Sequence, residues 1–248
     1  MSLEDSGPLA PPPEFGPVPE QPPAAPPYVR KYSVAQRLWL LLVSPRDAMQ
    51  DIALAPEYGG ALLIIVLQMI VAGFGIWLFL QKVTFTGAPA EMSWLWGFLT
   101  GVLAFAVFLG VFALVLMWLV KALLVKWLCN SGSDWNFKTA AAVTGYAYIA
   151  DLVFGVIGIL MIWLLVPQVV INVSSPETAA EAFANCNAQF TRLKFLFTLP
   201  ASLLGLTWKS YLGALGARFG TREKCSLSTG FIVFFVLGLL GILIGLIR

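Results

Sequence analysis

The sequence predicts an all-α membrane protein: a five-transmembrane-helix bundle that follows a disordered proline-rich N-terminal tail and interfacial amphipathic helices. Composition is the first observation behind this fold class. Of the 248 residues, 59% are hydrophobic and 11% are charged, whereas soluble domains carry roughly twice that charged share. Hydropathy is the second observation, because its mean is +0.84 and five apolar stretches are each long enough to cross a bilayer.

The predicted tail comprises residues 1–29. It contains ten of the sixteen prolines, and a segment this rich in proline cannot bury a core, so we expect an extended chain with polyproline II character. Two PxxP patterns, at 8–11 and 23–26, would suit an SH3-like protein partner. A solvated tail without a partner accounts for the same prolines.

Residues 30–56 are predicted to form amphipathic helices in the membrane interface. Apolar residues recur there at helical spacing between basic residues, and Trp39 suits the headgroup region. A Ser-Pro pair at 44–45 then resembles the N-cap and the first position of a second helix. Both helices could also cover the cytoplasmic end of the bundle, and the two interpretations are compatible.

The remaining residues, 57–248, form the predicted transmembrane domain. Its second span has tryptophan at both ends, which is the aromatic-belt pattern of membrane helices. The fourth span is the weakest, because it contains Pro200 and Lys209. The five predicted spans are 58–81, 94–120, 139–166, 195–217 and 227–247.

Glycines in two of these spans predict close contact between helices. Gly97 and Gly101 form a GxxxG pair in the second span. Gly238, Gly241 and Gly245 fall on or near one face of the last span, which favours tight packing in the bundle.

The basic residues predict the orientation. With the N-terminus in the cytoplasm, ten Lys and Arg residues fall on the inner side, four on the outer side and one within a span. This positive-inside bias predicts an N-terminus in the cytoplasm and a C-terminus outside. The net charge of +2 is too small to indicate nucleic acid, so the expected partners are membrane lipids, a protein at the tail and a second copy in a homo-oligomer.

Catalytic chemistry is not expected. The chain contains no histidine, which removes the commonest general base and metal ligand. Cys129, Cys186 and Cys225 are far apart in sequence and form no CxxC pair, so three inert thiols are expected. No paired carboxylates lie within a span and no glycine-rich phosphate loop precedes a helix. We therefore expect a non-enzymatic protein without catalytic, cofactor-binding or metal sites.

Two charged residues inside the spans are the candidate site. Asp151 lies roughly 20 Å along the helix from Lys138, and Lys209 lies roughly 14 Å from Arg218, so both reach similar depths. An intramembrane ion pair would offset the cost of each charge. Its function could be a proton or cation relay. Alternatively it is a packing device, or Lys209 snorkels to the interface while Asp151 stays protonated.

The packing alternative is favoured over the relay. A relay needs further polar residues along a path, and the sequence offers only a few nearby. They are Gln68, Thr144, Tyr146 and Tyr148.

Four motifs occur in a characteristic order. SPRDAM at 44–49 precedes the first span, DWNFK at 134–138 begins the third with Gly-Tyr at 145–146 inside it, and WKSY at 208–211 precedes a basic loop and a final apolar span. In this order the chain after residue 30 resembles the Yip1 family of five-span membrane proteins. The resemblance implies a non-enzymatic protein that organises or shapes the bilayer or recruits partners.

The chain departs from the eukaryotic branch of that family. It lacks the Asp-Leu-Tyr-Gly-Pro-like stretch before the first span, and Asp151 stands where the family more often has an apolar residue or proline. The resemblance is thus to prokaryotic members, which implies the cytoplasmic cell membrane and does not carry over the link to Rab-type GTPases. The alternative function is a small transporter or channel that uses Asp151.

Overall fold

The computed structural model describes residues 28–86, 94–129, 135–172 and 194–247, together with single helical positions between 177 and 191. The structure is 83% helical. Except for its last two residues, the predicted tail lies outside the described residues. In chain order the helices are α1 (Val34–Val43), α2 (Pro45–Leu54), α3 (Gly59–Gln81), α4 (Trp94–Leu128), α5 (Phe137–Ala147), α6 (Ile149–Leu165), α7 (Leu199–Gly220) and α8 (Leu227–Ile247).

Three segments of the described chain are long and apolar enough to cross a membrane. They are Gly59–Gln81, Phe108–Leu128 and Phe137–Leu165, and shorter apolar helices include α1 and Leu227–Leu243. The structure is therefore that of a helical membrane protein with three long apolar segments and several shorter ones.

The first two helices lie on the end of the bundle where α3 begins. Ser33 and Gln36 form a capping box that starts α1, and Pro45 occupies the first turn of α2. The apolar face of α2 is buried against α5 and α7, with Met49 and Ile52 fully enclosed. The bundle thus covers α2, whereas α1 keeps an exposed apolar face.

The second predicted span is longer in the structure. Helix α4 contains 35 residues and continues past residue 120 to Leu128. Lysine is a good helix former, so Lys121 and Lys126 do not end the helix, and Ala122 and Val125 are buried beyond them. The predicted connection at 121–138 is correspondingly shorter.

The third predicted span, 139–166, is two helices instead of one. The Tyr148 amide bonds to the Gly145 carbonyl at 3.2 Å, a tighter turn than an α-helix makes. In addition, Gln68 on α3 donates to the Tyr148 carbonyl at 3.0 Å. The break separates α5, which is buried from Thr139 to Ala147, from the more exposed α6.

A short parallel sheet lies at the opposite end, in the connections that follow the first and the third predicted spans. Strands β1 (Val83–Thr86) and β2 (Val169–Asn172) pair in register from Val83 and Val169 onwards. Helices α3 and α6 pack together, so the strands that follow them emerge side by side. A π-helical turn, Lys194–Thr198, then leads into α7.

The core surrounds α5, which contacts α2, α3, α4 and α7. Helix α7 can approach α5 closely because Gly216 and Gly220 carry no side chain. A Cβ on Gly216 would strike Val143, and a Cβ on Gly220 would strike the ring of Trp135, just before α5. The Trp118 indole of α4 donates to the Ala141 carbonyl at 2.9 Å. These contacts fix the three helices that surround the candidate site.

Candidate functional site

The structure brings together the two charged residues singled out from the sequence. Lys209 Nζ on α7 donates to both carboxylate oxygens of Asp151 on α6, at 2.7 and 3.0 Å. The side chains are 15% and 33% exposed, respectively. This is the geometry of an ion pair, in which each charge offsets the desolvation of the other inside an apolar bundle.

Tyr148, at the break before α6, joins this pair to a second lysine. Lys209 Nζ lies 5.1 Å from the centroid of the Tyr148 ring, and Lys121 Nζ of α4 lies 5.6 Å from the same centroid. Aromatic rings attract cations over their faces. Sequence reasoning assigned Lys121 to a loop, and only the observed length of α4 places it beside the pair.

Asp151 borders two cavities, one on each side of α6. A cavity of about 790 Å³ lies between α3, α4 and α6, and among its described lining residues only Gln68 and Asp151 are polar. A second cavity of about 370 Å³ lies between α6, α7 and α8 and includes Lys209 and Ser202. The Asp151 carboxylate is therefore accessible from both cavities.

The four polar residues that the sequence offered as helpers divide into two groups. Gln68 and Tyr148 adjoin the pair, and Thr144 lines a third, smaller cavity beside Lys209. Tyr146 is engaged elsewhere, since its hydroxyl donates to Glu57 at 2.9 Å. The structure thus shows no row of polar side chains along which a proton could pass, among the residues it describes.

A buried ionic network at the α1–α2 end was missed from the sequence. Arg37 is fully buried, and its Nε donates to Asp51 at 2.8 Å while its Nη1 donates to Glu57 at 3.0 Å. Its Nη2 donates to the Asp51 and Ala55 carbonyls. One signal was available, because Arg37 and the equally buried Leu41 are one helical turn apart and share a face.

The surroundings of Asp51 stabilise its charged form. Burial by itself raises the pKa of this carboxyl, but hydrogen bonds from the Lys31 amide, the Arg37 guanidinium and the Tyr28 hydroxyl hold it below its ordinary value. Burial and the bond to Asp51 raise the pKa of Tyr28 to about 12. Asp51 is therefore ionised at neutral pH, and α1, α2 and the segment before them are tied to one carboxylate.

Two of the three cysteines, which the sequence predicts to be inert thiols, lie side by side in the structure. The buried thiols of Cys129, after α4, and Cys225, before α8, are hydrogen-bond neighbours. The bond from Cys129 lowers the pKa of Cys225 to about 7, against the opposing effect of burial. Cys186 lies outside the described residues.

The predicted packing glycines differ in their surroundings. A Cβ on Gly238 would strike Leu206 of α7. No described atom lies within 4 Å of a Cβ placed on Gly101 or Gly241, so these two make no close helix contact with the part of the chain that the structure describes. The surroundings of Gly97 and Gly245 lie outside what the structure describes.

The described part of the chain contains buried and partly buried ion pairs, and cavities that border one of them. Among the described residues, no three His, Cys, Asp or Glu side chains meet where a metal ion could bind. The geometry provides the Asp151–Lys209 ion pair within the bundle and the Arg37 network, which joins α1 to α2 at the end of the bundle.

Comparison with known proteins gives the family. No curated protein and no solved structure matches the chain significantly. The Yip1 domain family model matches residues 39–247, from within α1 to the end of α8, which is well over half of the chain. The chain belongs to the Yip1 domain family.

Proposed function

We propose that this protein crosses the cytoplasmic membrane of a prokaryote five times, with its N-terminus inside and its C-terminus outside, and shapes the bilayer from the cytoplasmic side. The crossings are α3, α4, the α5–α6 segment, α7 with its preceding π-turn, and α8. Pairing with Asp151 supports the assignment of α7, because it offsets the charge of Lys209 in the membrane.

The exposed face of α1 is the observation that carries the proposed activity. Trp39, Leu42 and Val43 are 64%, 43% and 57% exposed, while Arg37 on the opposite face is locked into the bundle. An amphipathic helix at the interface buries its apolar face at the boundary between headgroups and acyl chains. Held rigidly there, α1 acts as a wedge in one leaflet and favours curvature.

The same geometry suits partner recruitment. The tail, 1–29, leads directly into α1, so a protein that binds the tail is brought to the membrane beside the wedge. The family resemblance supports a non-enzymatic role of this kind, and a homo-oligomer would place several wedges in one patch of membrane.

Vesicle shape tests the proposal. The protein is reconstituted into liposomes of phosphatidylethanolamine and phosphatidylglycerol, and vesicles captured through an N-terminal tag carry α1 in the outer leaflet. Electron microscopy should then show smaller vesicles or tubules as the protein-to-lipid ratio rises. Substitution of Trp39, Leu42 and Val43 by serine should abolish the effect.

Val29→Ser is the matched control, because Val29 is also exposed and apolar but precedes α1. It should shape vesicles like the wild-type protein. Vesicles as large as protein-free ones at every wild-type ratio would contradict the proposal, and so would tubules formed by the serine triple variant.

A transporter or channel is the second candidate, and the position of Asp151 between two cavities favours it. Proton or cation flux into liposomes that Asp151→Asn abolishes would support this function. The mostly apolar lining of the larger cavity and the engagement of both Asp151 oxygens by Lys209 weigh against it.

A further inference from the structure

A small cavity lies on the side of Lys209 that faces away from Asp151. Its volume is about 20 Å³, and it is enclosed by residues of α4, α5, α7 and α8. The polar lining consists of Lys121, Thr144, Tyr148 and Lys209, and the remaining lining residues are apolar. A volume of this size holds about one water-sized sphere.

Thr144 shows that the cavity is incomplete without a ligand. The residue is 4% exposed, and its hydroxyl has no hydrogen-bond partner among the described residues. A buried hydroxyl without a partner is costly, and native structures usually satisfy such groups. The missing partner must therefore sit in the cavity that Thr144 lines.

The charges around the cavity specify an anion. The ammonium groups of Lys121 and Lys209 both border it, whereas the carboxylate of Asp151 is bonded to Lys209 alone. Among the residues that the structure describes, Lys121 forms no ion pair with a carboxylate, and an uncompensated charge in a low-dielectric setting is expensive.

Hydrogen-bond chemistry favours an anion over water. Ammonium groups only donate, and the Thr144 hydroxyl can donate as well. A water molecule could donate one proton to the Thr144 oxygen, but it carries no charge to offset the second ammonium group. An ion that only accepts satisfies all three donors at once.

We propose that this cavity binds one small monovalent anion of chloride size, held by Lys121, Lys209 and the Thr144 hydroxyl. A lipid phosphate group is too large for the space. The anion neutralises the cluster and links α4, α5, α7 and α8, so its binding stabilises the inner half of the bundle. This site goes beyond the proposed membrane-shaping function.

Thermal unfolding in detergent tests the site. Chloride replaces gluconate at constant ionic strength and pH, and the melting temperature is recorded. A ligand that binds only the folded state raises the melting temperature with its concentration, so we expect a saturable rise of a few degrees for the wild-type protein. Thr144→Val, which keeps the shape and removes the donor, and Lys121→Met should abolish the rise.

Lys126→Met is the control, because Lys126 lies on the same helix but does not line the cavity. It should keep the wild-type response. A wild-type melting temperature that is equal in chloride and gluconate would overturn the proposal. A full response of Thr144→Val would also overturn it, as would stabilisation that follows phosphatidylglycerol content and ignores chloride.

A direct measurement covers the case in which the variants fail to fold. Crystals of the wild-type protein soaked in bromide should show an anomalous peak between Lys121 Nζ and Lys209 Nζ. Absence of that peak at saturating bromide would refute the site without reference to any variant.

Discussion

At the scale of single residues, the most consequential side chain is Arg37, whose guanidinium is removed from solvent and bonded to two carboxylates. Arg37→Met keeps an unbranched apolar stem but removes the guanidinium, which leaves Asp51 buried without its cation. Loss of one partner of a buried pair costs about 3–5 kcal/mol. Denaturant titration in detergent should show a loss of that order in the free energy of unfolding.

Arg30 is the matched control for this experiment. It also pairs with Glu57, at 2.7 Å, but its side chain is 39% exposed. Exposed pairs contribute less than about 1 kcal/mol, so Arg30→Met should have a small effect. Equal losses of unfolding free energy for the two variants would show that burial of the Arg37 network adds no stability beyond that of an exposed ion pair.

The depressed pKa of Asp51 predicts an acid limit to stability. A carboxyl whose folded pKa lies below its ordinary value of 3.8 adds stability that is fully present above that value and lost as the pH falls through the folded pKa. The wild-type melting temperature should therefore hold steady down to the ordinary value of 3.8 and drop as the pH falls further. Asp51→Asn should be less stable at neutral pH and should lose less over the same interval.

Charge reversal tests whether the Asp151–Lys209 ion pair contributes to folding. Asp151→Lys alone or Lys209→Asp alone places two like charges together within the bundle, and each should reduce the amount of protein that accumulates in the membrane. The double variant restores opposite charges and should recover much of the loss. Normal accumulation of both single variants would show that the pair contributes nothing to folding.

This pair was predictable and the Arg37 network was not, for a physical reason. A charge inside an apolar span requires a partner, and within the predicted spans Lys209 was the natural partner for Asp151. Arg37 lies in a segment where basic residues normally face water, so its burial depends on Asp51 and Glu57, which are distant in sequence. The position of Lys121 within the bundle could not be predicted either, because the second span was expected to end at residue 120.

At the scale of the elements, the departures from the sequence prediction arise from contacts between helices. The break at Tyr148 depends on Gln68 from α3, and the β1–β2 pairing depends on the packing of α3 against α6. A hydropathy profile detects neither contact, because it averages the hydrophobicity of neighbouring residues along the chain. The predicted spans and the observed helices coincide best in α3 and α8, each of which is one unbroken helix over its predicted span.

The Cys129–Cys225 contact gives a test of how the elements pack. Mild oxidation of a Cys186→Ser background should join the end of α4 to the loop between α7 and α8 by a disulfide. Proteolysis within the α5–α6 region, followed by electrophoresis with and without reductant, would reveal the linked fragments. Fragments that separate without reductant after oxidation would contradict this packing, and Cys129→Ser should behave in that way as the control.

At the scale of the whole molecule, most of the described basic residues collect at one end. Arg46, Lys126, Lys138, Arg218 and Lys224 lie in or next to the helix ends that α1 and α2 adjoin. The positive-inside bias predicts that this end faces the cytoplasm, which is the side on which the proposed wedge would act. Five crossings then require the two termini to face opposite compartments.

The sidedness of the termini tests this account most directly. Green fluorescent protein fused before Met1 and alkaline phosphatase fused after Arg248 report, in bacterial cells, on the cytoplasm and the outside, respectively. We predict fluorescence from the first fusion and phosphatase activity from the second, both in carbonate-resistant membranes. Termini on the same side, or extraction of the protein by carbonate, would contradict the five-span arrangement.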